Sequence, residues 1–284
     1  MRSTEHPAFE ITKASGERTA YDRDKLIQSL RRSGASDDSI ERVVADVEST
    51  LVDGMSTHKI YRRAFQLLKR SNVVAASQYK LKSAVMSLGP SGYPFEQYVG
   101  ALFRASGWTC DVGIILPGMC VTHEVDVFAK RNGVVRFTEC KFRNMPGSKV
   151  DVKVPLYVHS RVRDLIARYG KDHPDEAVSG YQGCIVTNSK FTEDAERYGE
   201  CEGLHLLAWD YPQGHGLLDM IRSTGLLPVT VLHTLSNKQK ESLLSKDVVL
   251  CSDLHKRPEL LMELGLEETS RNKVMEELEA LSAG

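Results

Sequence analysis

Two strand-like runs joined by Asn132–Gly133 constrain the fold of this 284-residue chain more than any other feature. The runs His123–Lys130 and Val134–Phe142 alternate between apolar and polar residues, which is typical of β-strands. Asn-Gly favours the two-residue turn of an antiparallel hairpin, because both residues adopt positive φ readily. Pairing through this turn brings Asp126 opposite Glu139. The sequence therefore predicts a hairpin that holds two carboxylates side by side.

The second run, VVRFTECKF, carries an ammonium group beside one of these carboxylates. Alternation places Glu139 and Lys141 on one face of the strand, about 7 Å apart. Two hard oxygen ligands can hold Mg²⁺ with water left in its shell, and the metal acidifies a bound water. A lysine adds positive charge beside the attacking water. Asp126, Glu139 and Lys141 therefore suit phosphodiester hydrolysis, although a cross-strand salt bridge would use the same residues.

Four segments follow one another in the order GYPFEQYVGALFRASGW, HEVDV, ECK and TNSKFTEDAERYG. They resemble the PD-(D/E)xK nuclease superfamily, and specifically the Mrr-like restriction endonucleases. The resemblance implies a restriction-endonuclease-like α/β (α+β) fold, in which helices flank a mixed-sheet core. It also implies that Asp126 and Glu139 bind Mg²⁺ or Mn²⁺ directly, that Lys141 orients the nucleophile, and that Glu96 is an auxiliary ligand. Val125 replaces the proline that the short motif has before its aspartate.

Positive charge is concentrated around the proposed catalytic strand. Residues 131–170 contain nine Lys and Arg against three Asp and Glu, although the whole chain has a formal net charge of -1. Such a segment attracts a polyanionic substrate. We expect DNA, although nothing in the sequence decides between DNA and RNA. The candidates for phosphate contacts are Arg143, Lys149, Lys153, Arg161 and Arg163.

Three further segments occur near the N-terminus: FEITKASGERTAYDRDKLIQSL, then DGMST with HKIYRRAF, then ASQYKLKSAVMSLG. They resemble the ATP-cone domain, the nucleotide-sensing piece of ribonucleotide reductases and of their transcriptional repressor. A triphosphate needs several cations at close range. No G-x-x-x-x-G-K-[ST] motif occurs, so we expect ATP or dATP to be sensed rather than hydrolysed. The residues expected to bind this nucleotide are Lys13, Arg18, Lys25, Thr57 and Lys82, with Lys80 as an alternative to Lys82.

Turn signals divide the chain into three predicted domains. GPSGYP, residues 89–94, has four Gly or Pro in six residues and cannot continue a helix. We expect a mostly helical ATP-cone domain at 8–89, the nuclease domain at 93–228 and a small helical module at 229–284. The module resembles a helix-hairpin-helix, with Gly265 in the hairpin. Its acidic composition is unfavourable for nonspecific DNA binding, so DNA contact and protein interaction both remain open.

The remaining features concern the cellular setting. No apolar run approaches the ~20 residues that a membrane span needs, and the N-terminus lacks the pattern of a secretory signal. Six scattered cysteines without a C-x-x-C pair indicate reduced thiols in a cytoplasm. We therefore expect a cytoplasmic, Mg-dependent endonuclease that cleaves DNA, is regulated by ATP or dATP, and forms a homo-oligomer such as a dimer. The alternatives are a noncatalytic nucleotide-responsive DNA-binding regulator and an RNA-directed nuclease.

Overall fold

A computed structural model describes residues 9–13 and 15–282 of the chain. The strands are β1 (Glu10–Thr12), β2 (Arg18–Ala20), β3 (Met55–Ser56), β4 (Thr109–Pro117), β5 (Thr122–Arg131), β6 (Val134–Lys141), β7 (Lys149–Val150), β8 (Gly180–Thr187), β9 (Lys190–Phe191) and β10 (His205–Leu207). The α-helices are α1 (Arg23–Arg32), α2 (Asp37–Ser49), α3 (Thr57–Ser71), α4 (Val73–Met86), α5 (Tyr93–Ala105), α6 (Lys153–Asp172), α7 (Glu193–Cys201), α8 (Leu217–Thr224), α9 (Asn237–Leu244), α10 (Cys251–Lys256), α11 (Leu260–Glu263) and α12 (Glu268–Ser282). The predicted α/β class is confirmed.

The chain groups into two compact units, Met1–Lys82 with Glu267–Gly284, and Ser83–Leu266. The region beyond Pro228 is helical, as predicted, apart from an isolated bridge between Pro228 and Leu250. Its last helix, α12, groups with the first unit, and its other helices group with the second. Spatial grouping therefore does not follow the three-part division, which stays a prediction about independently folding domains.

The first unit opens with the predicted hairpin. Strand β1 pairs antiparallel with β2 and parallel with β3, which gives a small three-stranded sheet. Asp22 caps α1, as its position in the sequence predicts, because its side chain accepts a hydrogen bond from the Lys25 amide. The apolar faces of α1 to α4 then form a common core that includes Leu30, Val44 and Leu68.

The second unit is built on a mixed five-stranded sheet in the order β10-β8-β6-β5-β4. Strands β4, β5 and β6 form an antiparallel meander, whereas β8 pairs parallel with both β6 and β10. Antiparallel neighbours need only short turns, but the parallel steps need crossovers, which α6 and α7 supply.

Helix α6 covers one face of this sheet and packs on it through Phe128, Phe137 and Tyr169. It begins at Lys153, and Pro155 lies in its first turn, where a helix tolerates proline. No helix among the described residues is long and apolar enough to cross a membrane.

Candidate active site

The candidate site lies on the hairpin formed by β5 and β6. Asn132 has φ 50° and Gly133 has φ 76°, which are the two positive angles that the predicted turn requires. The strand register runs from Arg131 paired with Val134 to Val127 paired with Thr138. Asp126 and Glu139 are the next residues in this register. The turn chemistry therefore brings the two predicted carboxylates to adjacent strands, as the sequence indicates.

A break in the alternation of β5 accompanies this site. Val125 and Phe128 belong to one core cluster with residues of α6, although strict alternation would place them on opposite faces. Asp126 lies within the break. On the neighbouring strand β4, Gly113 adopts φ +66° and falls between the pairs that flank Asp126 in the register. A positive-φ glycine distorts the pleat, so simple alternation does not describe β5 at this point.

Asp126 is held by the backbone of the next strand. The amide of Cys140 donates a hydrogen bond of 2.6 Å to Oδ2 of Asp126. Burial, together with the charge of Glu139, raises the pKa of Asp126 to about 6, and the hydrogen bond opposes this rise. Its carboxylate therefore carries a desolvation cost that its hydrogen bond only partly offsets.

Glu96 approaches the same group from α5. Burial, together with the charges of Asp126, Glu124 and Glu139, raises the pKa of Glu96 to about 7. Both effects disfavour the charged form of the side chain. The structure thus places all three predicted carboxylates within electrostatic reach of one another. Their mutual repulsion indicates an excess of negative charge at this point.

Glu139 is only 9% exposed in its side chain, and three donors contact its carboxylate. Lys141 Nζ lies 2.5 Å from Oε1, and the Tyr157 hydroxyl donates to the same oxygen over 2.9 Å. Arg161 Nη1 donates to Oε2 over 2.6 Å. Although burial opposes it, the hydrogen bonds with Glu139 and Tyr157 raise the pKa of Lys141, so its ammonium remains charged. On the opposite face of β6, Phe142 packs against Phe95 of α5, as the alternation predicts.

A buried asparagine holds the chain directly after β6. Asn188 is 2% exposed, accepts from the Arg143 amide over 2.8 Å and donates to the Arg143 carbonyl over 2.8 Å. Thr187 Oγ1 donates to the Lys141 carbonyl over 2.7 Å. These bonds hold the end of β6, and with it the backbone of Lys141, against the end of β8. The sequence analysis missed Asn188 and Tyr157, although Tyr157 stands four residues before Arg161, on the same face of a helix.

The residues predicted to contact phosphate differ in whether they reach the site. Arg161 enters the site, whereas Lys149, Lys153 and Arg163 are exposed on β7 and α6. Arg143 follows β6 and is half-buried, with its backbone held as described. A positively charged surface therefore extends from the carboxylates along the start of α6.

The donor set fits a hard divalent cation. Mg²⁺ usually takes one or two carboxylates and keeps several waters, which Asp126 and Glu139 can satisfy. A cation would also relieve the repulsion that disfavours the charged forms of Asp126 and Glu96. Among residues 9–13 and 15–282 there is no group of three or more His, Cys, Asp and Glu arranged to hold a metal. A bound ion would therefore depend on water or substrate oxygens for the rest of its shell.

The predicted nucleotide-binding residues lie in the first unit, and its acidic side chains pair with several of them. Lys13 is 3.0 Å from Glu17, and Lys25 is 3.2 Å from Asp22. Thr57 begins α3, and the pairing of β1 with β3 brings it next to Lys13.

Arg18 is also paired, at 2.6 Å from Asp53 and 3.1 Å from Glu10. Lys82 is exposed near the end of α4, and Lys80 lies 5.8 Å from the ring of Phe65. The cations on the hairpin and on α1 are therefore neutralised by neighbours that a triphosphate would have to displace.

Comparisons with known proteins place the chain in a family. A model described as AF1548-like, C-terminal, matches residues 227–282. An uncharacterized protein of Archaeoglobus fulgidus is 32% identical over 177 residues, which are 62% of this chain and 95% of that protein. The chain belongs to the AF1548-like family.

Solved structures add to this assignment. The crystal structure of the protein of unknown function AF1548 matches 68% of this AF1548-like chain and 100% of its own, with 30% identity and a TM-score of 0.55. The MspJI restriction endonuclease in complex with a 27-mer oligonucleotide matches 61% of this chain and 36% of its own. At 18% identity and a TM-score of 0.34, that likeness is too low to show a shared fold.

Proposed function

We propose that this AF1548-like protein is a metal-dependent endonuclease that hydrolyses phosphodiester bonds of DNA, with Asp126, Glu139 and Lys141 as its catalytic residues. One observation carries the proposal. Asp126 and Glu139 lie directly beyond the last pair of β5 and β6, Val127 with Thr138, and the Lys141 ammonium lies 2.5 Å from the Glu139 carboxylate. All three sit on a well-ordered sheet, which fixes their geometry as catalysis requires.

Each residue has a distinct task in this proposal. Asp126 and Glu139 hold Mg²⁺ or Mn²⁺, which when bound neutralises phosphate charge and acidifies a water. Lys141 keeps its proton, because its pKa is raised, and places a positive charge beside the attacking oxygen and the developing oxyanion. Glu96, with its pKa near 7, exists in both protonation states at neutral pH and orients solvent next to the primary ligands.

We also propose that the first unit binds ATP or dATP and regulates cleavage. The ATP-cone resemblance supports this, as does the placement of Lys13 beside Thr57. The site would use Lys13, Arg18, Lys25, Thr57 and Lys82. A homo-oligomer, in its simplest form a dimer, is part of the same proposal, since nucleotide-driven association is one way to couple nucleotide binding to cleavage.

The test is a cleavage assay on the full-length protein with circular duplex DNA, linear duplex DNA and single-stranded RNA. Each substrate is incubated with Mg²⁺, with and without ATP, beside Asp126→Asn protein and an EDTA control. We expect nicking or linearisation of circular DNA that requires both Mg²⁺ and Asp126, at a rate that ATP changes. Cleavage of RNA alone would reassign the substrate. Cleavage that survives Asp126→Asn would contradict the site.

A second candidate is a noncatalytic nucleotide-responsive regulator that binds DNA. One observation favours it: three donors already satisfy the Glu139 carboxylate, as in a purely structural ion pair. Such a protein would bind duplex DNA in a gel-shift assay, with an affinity that ATP changes, and would leave every substrate intact with Mg²⁺ or Mn²⁺. The same assay therefore separates the two candidates.

A further inference from the structure

Among the described residues, the carboxylate that Arg161 contacts in the candidate site is that of Glu139. Its Nη1 donates to Oε2 of Glu139, and its Nη2 donates to the carbonyl of Glu124 rather than to the Glu124 side chain. Asp126 instead accepts from the backbone of Cys140. Arg161 thus makes its direct ion pair with Glu139 and acts on Asp126 only through its charge, which lowers the pKa of Asp126. The charge of Asp126 in turn raises the pKa of Glu96.

Its position leaves Arg161 free to reorient. The side chain is 27% exposed, and it extends from α6 over the ring of Tyr157, whose centroid lies 6.0 Å from the guanidinium carbon. Lys141 lies 5.6 Å from the centroid of the same ring. Arginine has a long stem and a planar fork that suits carboxylates and phosphates equally well. An alternative partner of the right kind is a phosphate oxygen.

The oxygen that Arg161 occupies is one that a divalent cation needs. Oε1 of Glu139 already receives Lys141 and Tyr157, so Oε2 is the oxygen with a single donor. Oε2 is therefore the oxygen of Glu139 that is more open to a cation held by Glu139 and Asp126. A divalent cation on Oε2 would repel the guanidinium of Arg161 at contact distance, which weakens the ion pair and favours departure of the guanidinium when the metal enters.

We propose that Arg161 is an exchangeable counter-ion of Glu139, which it neutralises while no divalent cation is bound and leaves for a phosphate of the nucleic acid when the cation enters. This inference rests on the proposed function and adds a regulatory step to the same site. Metal binding without substrate is weakened, because it must break the ion pair. Metal binding with substrate is favoured, because the released guanidinium gains a phosphate partner.

The exchange predicts a thermodynamic coupling between metal and DNA. If a duplex tightens metal binding by some factor, the metal must tighten duplex binding by the same factor. Part of this factor passes through Arg161. Removing the guanidinium should therefore tighten metal binding in the absence of DNA and reduce the coupling factor in its presence. If the ion pair between α6 and β6 were purely structural, removing the guanidinium would change protein stability. It would neither tighten metal binding without DNA nor reduce the coupling factor.

The experiment is calorimetric titration of Mn²⁺ into the full-length protein without DNA. Arg161→Met keeps the length of the side chain but removes its charge, and we expect it to bind Mn²⁺ about tenfold more tightly than wild type. Arg161→Lys keeps a point charge and should give a smaller gain. Arg163→Met is the matched control, because Arg163 is exposed on the same helix, and its affinity should equal that of wild type.

The second arm repeats the titration with Ca²⁺, with and without a short DNA duplex. Wild type should show a larger ratio between the two affinities than Arg161→Met. Unchanged or weaker metal affinity in a folded Arg161→Met protein would overturn the exchange. If this variant does not fold, the same criterion applies to Arg161→Lys.

An Asp126→Asn protein separates failure of the exchange from failure of the proposed function. Wild type that binds Mn²⁺ no better than Asp126→Asn overturns the metal site itself, and the exchange with it. Wild type that needs Asp126 for Mn²⁺ but shows no effect of Arg161 overturns the exchange alone.

Discussion

The candidate active site and the proposed nucleotide site are both rich in charge, but their charges are placed differently. At the active site, Glu139 is 9% exposed in its side chain and Lys141 is 26% exposed. In the first unit, Lys13 is 46% exposed and Lys25 is 82% exposed, and each pairs with a nearby acid. Buried charge is costly and calls for a functional explanation, whereas exposed pairs contribute little and form readily by proximity. The nuclease proposal is therefore supported by the geometry of its site, whereas the nucleotide proposal is supported by sequence resemblance.

The largest expected effect tests the candidate active site, where the charged residues are buried. Asp126→Asn, Glu139→Gln and Lys141→Met should each lower Mg²⁺-dependent cleavage by about a thousandfold or more, because each removes a metal ligand or the charge beside the nucleophile. Cleavage of circular DNA measures the rate, and circular dichroism reports folding. Lys171→Met, on an exposed residue in the last turn of α6, is the control. Folded site variants that cleave at the wild-type rate would contradict the assignment.

The next largest effect tests the proposed nucleotide site, where the charged residues are exposed. A Lys13→Ala/Lys25→Ala protein should bind ATP or dATP about thirtyfold more weakly, because two charge-assisted phosphate contacts are lost. Its melting temperature should stay at the wild-type value, since the pairs involved are exposed. A labelled nucleotide titrated into the protein measures the affinity. Arg31→Ala, which breaks another exposed pair in the same unit, is the control. Tight binding that survives the double substitution would refute the pocket.

Glu96 sharpens the comparison within the active site. Glu96→Gln should reduce cleavage by about tenfold, less than the primary residues do, because water can replace an auxiliary carboxylate. Cleavage rates measured at several Mg²⁺ concentrations distinguish weaker metal binding from slower chemistry. A loss as large as that of Asp126→Asn would make Glu96 a primary ligand.

The smallest expected effect is on stability, and it is a gain, whereas the preceding substitutions cause losses of cleavage or binding. Without divalent cations, Asp126→Asn should raise the free energy of unfolding at pH 7.5 by about 1–2 kcal/mol, because it removes a buried charge. The pKa of Asp126 is about 6 when folded, above its ordinary value of 3.8. The ionised form is therefore penalised as pH rises through this interval, and the gain should disappear near pH 4. Urea unfolding at both pH values measures it. An equal difference at pH 4 and pH 7.5 would point to packing instead.

The sequence predicts the parts of this site that follow from local chemistry. The turn at Asn132–Gly133 fixes the register of β5 and β6, and with it the proximity of Asp126 to Glu139. Alternation along β6 places Lys141 beside Glu139, and the distance of 2.5 Å agrees with that prediction. The six cysteines are free thiols, also as predicted.

Contacts made through tertiary structure could not be predicted in this way. Arg161 is 22 residues from Glu139, and its role as a partner of Glu139 depends on how α6 lies across the sheet. Asn188 is 45 residues from Arg143, and a single polar residue after a strand does not indicate which backbone groups it will bond to. The break at Asp126 depends on a glycine in the neighbouring strand. Each of these features needs the paired strands or the docked helix to exist first.

Gly113 has a consequence for how the protein behaves in a crowded solution. Strand β4 lies at the edge of the sheet, is nine residues long, and carries Ile115 with 73% of its surface exposed. An edge of this kind is a template on which other chains can add strands and aggregate. The positive φ of Gly113 interrupts the even row of outward amide and carbonyl groups, so the straight stretch is shortened. A substitution of Gly113 that straightened β4 would therefore disturb the neighbourhood of Asp126. It would also lengthen the edge on which other chains can pair, so this one glycine affects both solubility and the proposed cleavage.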